Sequence, residues 1–135
     1  MAFTGNFTAD SFKTALFNGD VDFSADIFKI ALYTNSASLN GNTSVYTADG
    51  EVVASGYTAG GELLTPTVST LDGVSFVSFA TVSWSSALTA RGALIYKVGG
   101  TAVCILDFGS DKTSTVTFTV EFPPNTNTSA VLRLQ

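Results

Sequence analysis

At 135 residues the chain has the length of one domain, enough to bury a core without disulfides or a metal. Its net charge is −5 and its six basic residues are scattered singly, so no basic stripe exists to neutralise nucleic-acid phosphates. Histidine is absent, which removes the commonest general base and metal ligand, and no apolar run approaches the ~20 residues needed to span a bilayer.

Charged residues make up only 13% of the chain, about half of the roughly 25% usual for a soluble domain. Hydroxyls cover the surface instead, with 19 Thr and 15 Ser. Such a surface desolvates cheaply when another protein covers it, because few ionised groups must lose water. That composition suits a packed assembly and equally suits a plain Thr-rich β surface. The single Cys104 lies in an apolar run and reads as a small buried hydrophobe of a protein folded in a reducing compartment. The opening MAFTGNFTAD lacks the basic and apolar regions of a secretory signal.

Residues 1–8 are polar and Gly/Asn-bearing and read as an N-terminal arm. From Asp10 to Asn18, Phe12, Ala15 and Leu16 fall at helical spacing, with Thr8 or Asp10 as N-cap and Gly19 just past the end. A helix this short must dock its Phe face on a sheet to persist. Asp20, Asp22 and Asp26 follow. Three carboxylates so close raise a calcium reading, but the spacing does not match an EF-hand, and a solvated turn before a strand is the simpler reading. That strand runs from Phe28 to Thr34, with Phe28, Ile30 and Leu32 inward and Lys29 and Tyr33 outward.

Residues 35–50 form a long polar loop anchored only by Leu39, Val45 and Tyr46, and contact with a neighbour is its expected role. Glu51–Ala54 is a short strand. Gly56, Gly60 and Gly61 then invite a phosphate-cradle reading, but Leu63-Leu64-Thr65-Pro66 does not start a helix, so they are turn glycines needing positive φ. Thr67–Thr70 is an edge strand entered through Pro66, and Leu71-Asp72-Gly73 is a turn.

From Val74 to Trp84 the even positions Val74, Phe76, Ala80, Val82 and Trp84 make a buried face, while Val77 and Phe79 on the other face call for a cover. Trp84 reads as a core anchor. Three strands follow near 92–98, 101–108 and 115–122, the first two joined by a Gly99-Gly100 hairpin turn. In the last of them Val116, Phe118, Val120 and Phe122 alternate with polar residues, and Asp111 and Lys112 are placed to pair across the preceding turn. Ala130–Leu134 is a final strand that completes a sheet within the chain or adds to a neighbour's edge. The expectation is all-β: a two-sheet, jelly-roll-like sandwich of about eight strands with one short N-terminal helix, spanning 1–135 as one domain.

No spacing argues for catalysis. Asp107, Asp111, Glu51 and Glu62 form a site only by converging in space, and Arg91 within TARGA reads as a structural arginine or a partner contact. No catalytic residue, cofactor or metal site is assigned, and the chain reads as a non-enzyme.

The succession DSFK, DIFKIALYT, YTADGEV, GYTAGG, TARGALIY, LDFGSDKT and FTVEFP nevertheless resembles a family of small tailed-bacteriophage virion proteins, over nearly the whole chain. The resemblance implies a structural role as a head decoration, or cement, protein. It would be made in the host cytoplasm and sit on the capsid exterior as a homotrimer, with the major capsid protein as its other partner. Phe3, Phe7, Leu39, Tyr46 and Tyr57 are then the expected exposed anchors for subunit or capsid contacts, because aromatics lead interface energetics. Two other readings are a tail, baseplate or fibre component that binds a host receptor, and a carbohydrate-binding module using Trp84 and tyrosines.

Overall fold

A computed structural model describes residues 3–134. The chain is all-β with one short helix near its N-terminus, and every strand pairing is antiparallel. The largest sheet has the order β1 (Phe7–Thr8), β8 (Ala102–Thr113), β7 (Thr89–Lys97), β2 (Phe28–Tyr33) and β3 (Glu62–Leu63). A second sheet has the order β10 (Leu132–Leu134), β5 (Val74–Phe79) and β4 (Pro66–Leu71), and β6 (Val82–Trp84) pairs with β9 (Phe118–Val120). One contiguous core draws side chains from all three sheets, so the arrangement is sandwich-like, with its second layer split at Ala80-Thr81.

β7 and β8 form the spine, and their apolar runs explain why. Ala93, Leu94, Ile95, Ala102, Val103 and Ile105 are fully buried, so these strands are covered on both faces. The same holds for β2, where Ala31 and Tyr33 are as inaccessible as Ile30 and Leu32. The expected outward Tyr33 is therefore corrected: the segment 34–61 folds back over that face, and the Tyr33 hydroxyl donates to the Thr47 carbonyl at 2.6 Å.

The helix α1 (Asp10–Phe17) buries Phe12 against the core and ends at Asn18, with Gly19 at φ +75° beyond it. Its N-cap is Ala9, extended at ψ 136° and without a side-chain cap, so neither Thr8 nor Asp10 has that role. The Asp10 N–H goes instead to the Gly41 carbonyl at 2.9 Å, which ties the helix start to the long loop.

Several other expectations shift. β8 does not stop at the GSDKT stretch but runs on to Thr113, pairing Thr89 and Ala90 of β7 through a bulge at Arg91. Lys112 therefore pairs in register with Ala90, and Asp111 accepts from the Asn35 amide at 3.1 Å instead of facing Lys112 across a turn. The β7–β8 connection is wider than a Gly99-Gly100 turn, because Lys97 still donates to Thr101. Ala80 is exposed at the break between β5 and β6, and Val116 is 74% exposed ahead of β9, so neither belongs to the buried face. Trp84 is 2% exposed and packs beside Tyr57 and Phe118, as a core anchor should.

Candidate functional site

The polar centre of the molecule lies around Glu51. This carboxylate is 8% exposed, and Tyr33 at the end of β2 forms an isolated bridge with it. Its Oε1 accepts from the Tyr46 hydroxyl at 2.5 Å; its Oε2 accepts from the Tyr57 hydroxyl at 2.6 Å and the Gly60 N–H at 2.9 Å. Tyr57 in turn accepts the Leu32 N–H at 2.8 Å, and Tyr96 donates to the Gly60 carbonyl at 2.6 Å while stacking on Tyr46 with centroids 4.9 Å apart. With Tyr33 close by, all four tyrosines of the chain surround one acid.

Burial is the first cause that raises the ionisation of all four phenols above the usual tyrosine value, and the negative charge of Glu51 adds to it. Each hydroxyl is thus held in its donor form. The glycines make the close approach feasible: Gly56, Gly60 and Gly61 all have positive φ, and a side chain at Gly61 would run into the Ile30 carbonyl. The cluster is a fastener for the loop 34–61. Its donors and acceptors are largely spent on one another.

Most of the expected partner anchors are interior. Phe3, Leu39 and Tyr57 are buried in the core cluster, which corrects their reading as exposed contacts; Phe7 and Tyr46 are half-buried against that core. Phe3 fills a socket over Gly92, where a Cβ would stand 2.5 Å from the Phe3 ring and 2.6 Å from the Leu106 carbonyl. The described part of the expected arm, residues 3–8, is therefore docked: β1 pairs with Ile105 and Cys104 of β8, and Asn6 accepts the Asp107 N–H at 2.6 Å. Residues 1 and 2 lie outside the described residues.

Of the two readings of Arg91, structural arginine or partner contact, the ion pair it makes within the chain fits the first. It pairs with Asp107, and its guanidinium lies 5.8 Å from the Phe3 ring centroid. The hydrogen bond from Arg91, helped by the Gly109 N–H, lowers the Asp107 ionisation below the usual carboxylate value. Asp107, Asp111, Glu51 and Glu62 are not brought together, and among the described residues no group of three or more acids or cysteines is arranged to hold a metal. In the Asp20–Asp26 turn, Asp22 accepts from the Ser24 N–H and hydroxyl; Asp26 accepts the Asp22 N–H and pairs with Lys97 at 3.3 Å.

What the surface offers instead is uncovered apolar area. Val53 is 97% exposed and Phe17 86%, and Ile27, Val45, Leu63, Val68, Leu71, Val98, Val116 and Leu134 are also exposed. An apolar groove of about 620 Å³ opens between α1 and the β10–β5–β4 sheet, lined by Phe12, Leu16, Phe23, Val68, Val77 and Leu134 among others. A more polar cleft of about 440 Å³ separates the end of β8 from β9, with Phe108 and Phe118 beside Thr113, Thr117 and Thr119. Comparison of the chain with protein families, curated proteins and solved structures finds no match.

Proposed function

We propose that the chain is a structural protein of a tailed-bacteriophage virion that decorates the outer surface of the head and reinforces contacts between capsomers. The observation that carries this reading is the set of large apolar side chains left uncovered on a surface poor in charge, Val53, Phe17 and Val116 foremost. Such side chains gain by being covered, and the surrounding hydroxyls give up their water at little cost. The sequence resemblance supplies the biological setting.

The work required is mechanical. A shell under internal pressure fails where capsomers meet, and a rigid slab bound across such a junction adds contacts that must break first. Trp84, sealed between Tyr57 and Phe118, is not available as a sugar platform, which weighs against the carbohydrate-binding reading.

The deciding experiment mixes the purified protein with emptied, expanded heads lacking it and follows co-sedimentation and cryo-electron microscopy. Saturable binding on the outer surface is expected, weakened in a Phe17→Ser, Val53→Ser, Val116→Ser variant of unchanged stability. No binding to heads, together with adsorption of the isolated protein to host cells, would replace this reading with a tail or fibre role.

A further inference from the structure

Exposed sheet edges are templates for strand pairing, and proteins blunt them with short strands or charges. Most edges here follow that rule. β1 and β3 have two residues each; β6, β9 and β10 have three, and β10 carries Arg133. The outer stretch of β8 carries Asp111 and Lys112. β4 is the least protected: its six residues, Pro-Thr-Val-Ser-Thr-Leu, have Pro66 at the entry as their one blunting device, carry no ionisable side chain, and leave Val68 and Leu71 both more than half exposed. Among the described residues nothing pairs with its outer side.

The hairpin fixes which backbone groups face outward. Asp72 and Gly73, at φ +52° and +79°, form a two-residue turn with both φ positive, and Leu71 pairs with Val74. Leu71, Ser69 and Thr67 therefore exchange hydrogen bonds with β5, while Val68 and Thr70 point their N–H and C=O groups away from it. Pro66 is also turned outward but has only a carbonyl to offer.

We propose that this edge pairs with the same edge of a second copy of the chain, antiparallel across a two-fold axis at Ser69. In that register Val68 of each copy lies opposite Thr70 of the other, and every outward N–H and C=O of the two residues finds a partner. Sliding by two residues sets Thr70 opposite Pro66, which has no N–H for the Thr70 carbonyl, so the edge selects its own register. Two β-branched residues then meet as cross-strand neighbours, and no like charges oppose each other. The second copy is the fitting occupant because the outward groups are symmetric about Ser69, the condition for an isologous contact. This contact joins two subunits and is independent of the head-decoration reading; by itself it makes a dimer, not the trimer the sequence resemblance implies.

The test is a cysteine at the axis. Paired Ser69 residues would have Cα atoms about 4.5 Å apart, within the disulfide range of about 4.4–6.8 Å. Mild oxidation of Ser69→Cys should give mainly a covalent dimer, whereas Thr67→Cys, which faces Leu71 of the other copy, should remain monomeric; Cys104 is buried and does not compete. Sedimentation velocity of the unmodified protein should show a concentration-dependent dimer. Thr70→Pro removes an outward N–H from each copy and should weaken association about tenfold or more. Val68→Lys should do the same should the proline variant fail to fold. A monomer up to millimolar concentration, equal cross-linking at 67 and 69, or an oligomer that Ser69→Cys does not lock would each overturn the proposal.

Discussion

Replacing Glu51 by Gln tests whether the tyrosine cluster fastens the molecule. The hydrogen-bond directions are fixed by the partners: Gly60 offers only an N–H, and Tyr57 already accepts from Leu32, so its proton goes to Glu51. A carboxylate accepts all three bonds; an amide keeps one oxygen and places two donors where the other stood. If that oxygen stays with Tyr57 and Gly60, both bonds lose their charge assistance, about 1 kcal/mol each, and Tyr46 must turn its hydroxyl proton elsewhere, its oxygen left only to accept from the amide. The expected loss is about 2–3 kcal/mol, a large share of the roughly 5–15 kcal/mol typical of a domain. Urea unfolding should show a lower midpoint at unchanged slope, and exchange of the Leu32 and Gly60 amides should accelerate before global unfolding. A Tyr46→Phe, Glu51→Gln double variant should lose less than the two singles summed. A Glu51→Gln protein within about 0.5 kcal/mol of the parent would refute the assigned role.

Three further outcomes follow from the same interior. All four tyrosines have raised ionisation when folded, so the unfolded chain gives up phenolic protons first once pH passes about 10; stability is whole below that value and falls above it. Absorbance near 295 nm should therefore stay flat through pH 10 and rise only as the fold is lost, and ordinary tyrosine titration with the fold intact would contradict this. Burial pushes the Cys104 thiol up to about 12, so a thiol reagent at pH 8 should label it only after denaturation. Gly92→Ala should drive Phe3 from its socket at a cost of about 1–3 kcal/mol in urea unfolding, and adding Phe3→Ala should cost less than additively.

The spine was legible because two short apolar runs, ALIYKV and TAVCILDF, are separated by Gly99-Gly100, a spacing that favours paired strands over a helix, and Leu71-Asp72-Gly73 marks a turn. Phe12, Ala15 and Leu16 marked the helix equally well, although its capping was invisible, since the Asp10 N–H is satisfied from the distant Gly41. The polar hub was not legible. Period-two reasoning assigns Tyr33 to a wet face unless something covers it, and the cover is a loop whose path depends on Glu51, a residue that looks solvated in sequence. An acid followed by Tyr57 and Gly60-Gly61 and preceded by Tyr46 was the only local hint. The anchor residues misled for a related reason: an aromatic in a polar segment can be the pin that holds that segment down. Phe3 and Tyr57 do this, and Leu39 does so as an aliphatic pin, whereas Val116, which alternates with Phe118 and Val120, and Val53, which follows Val52, are exposed although those neighbours in sequence are buried.

The buried hub and the apolar exterior are parts of one arrangement. Val53 stands two residues from Glu51 and directly after Val52, whose N–H is held by the Leu32 carbonyl at 3.0 Å, so the loop presents an apolar tip from a fixed backbone. Among the described residues, half of the ten large exposed apolar side chains are valines, which have little rotamer freedom to lose on burial. A surface held in this way gives up little entropy when it is covered, which makes modest apolar area effective in binding. Val68 and Val116 each stand between hydroxyl residues in the chain, so the groups around them lose water at little cost when a partner covers them. Loosening Glu51 should therefore weaken any contact made through Val53 although the acid itself touches no partner.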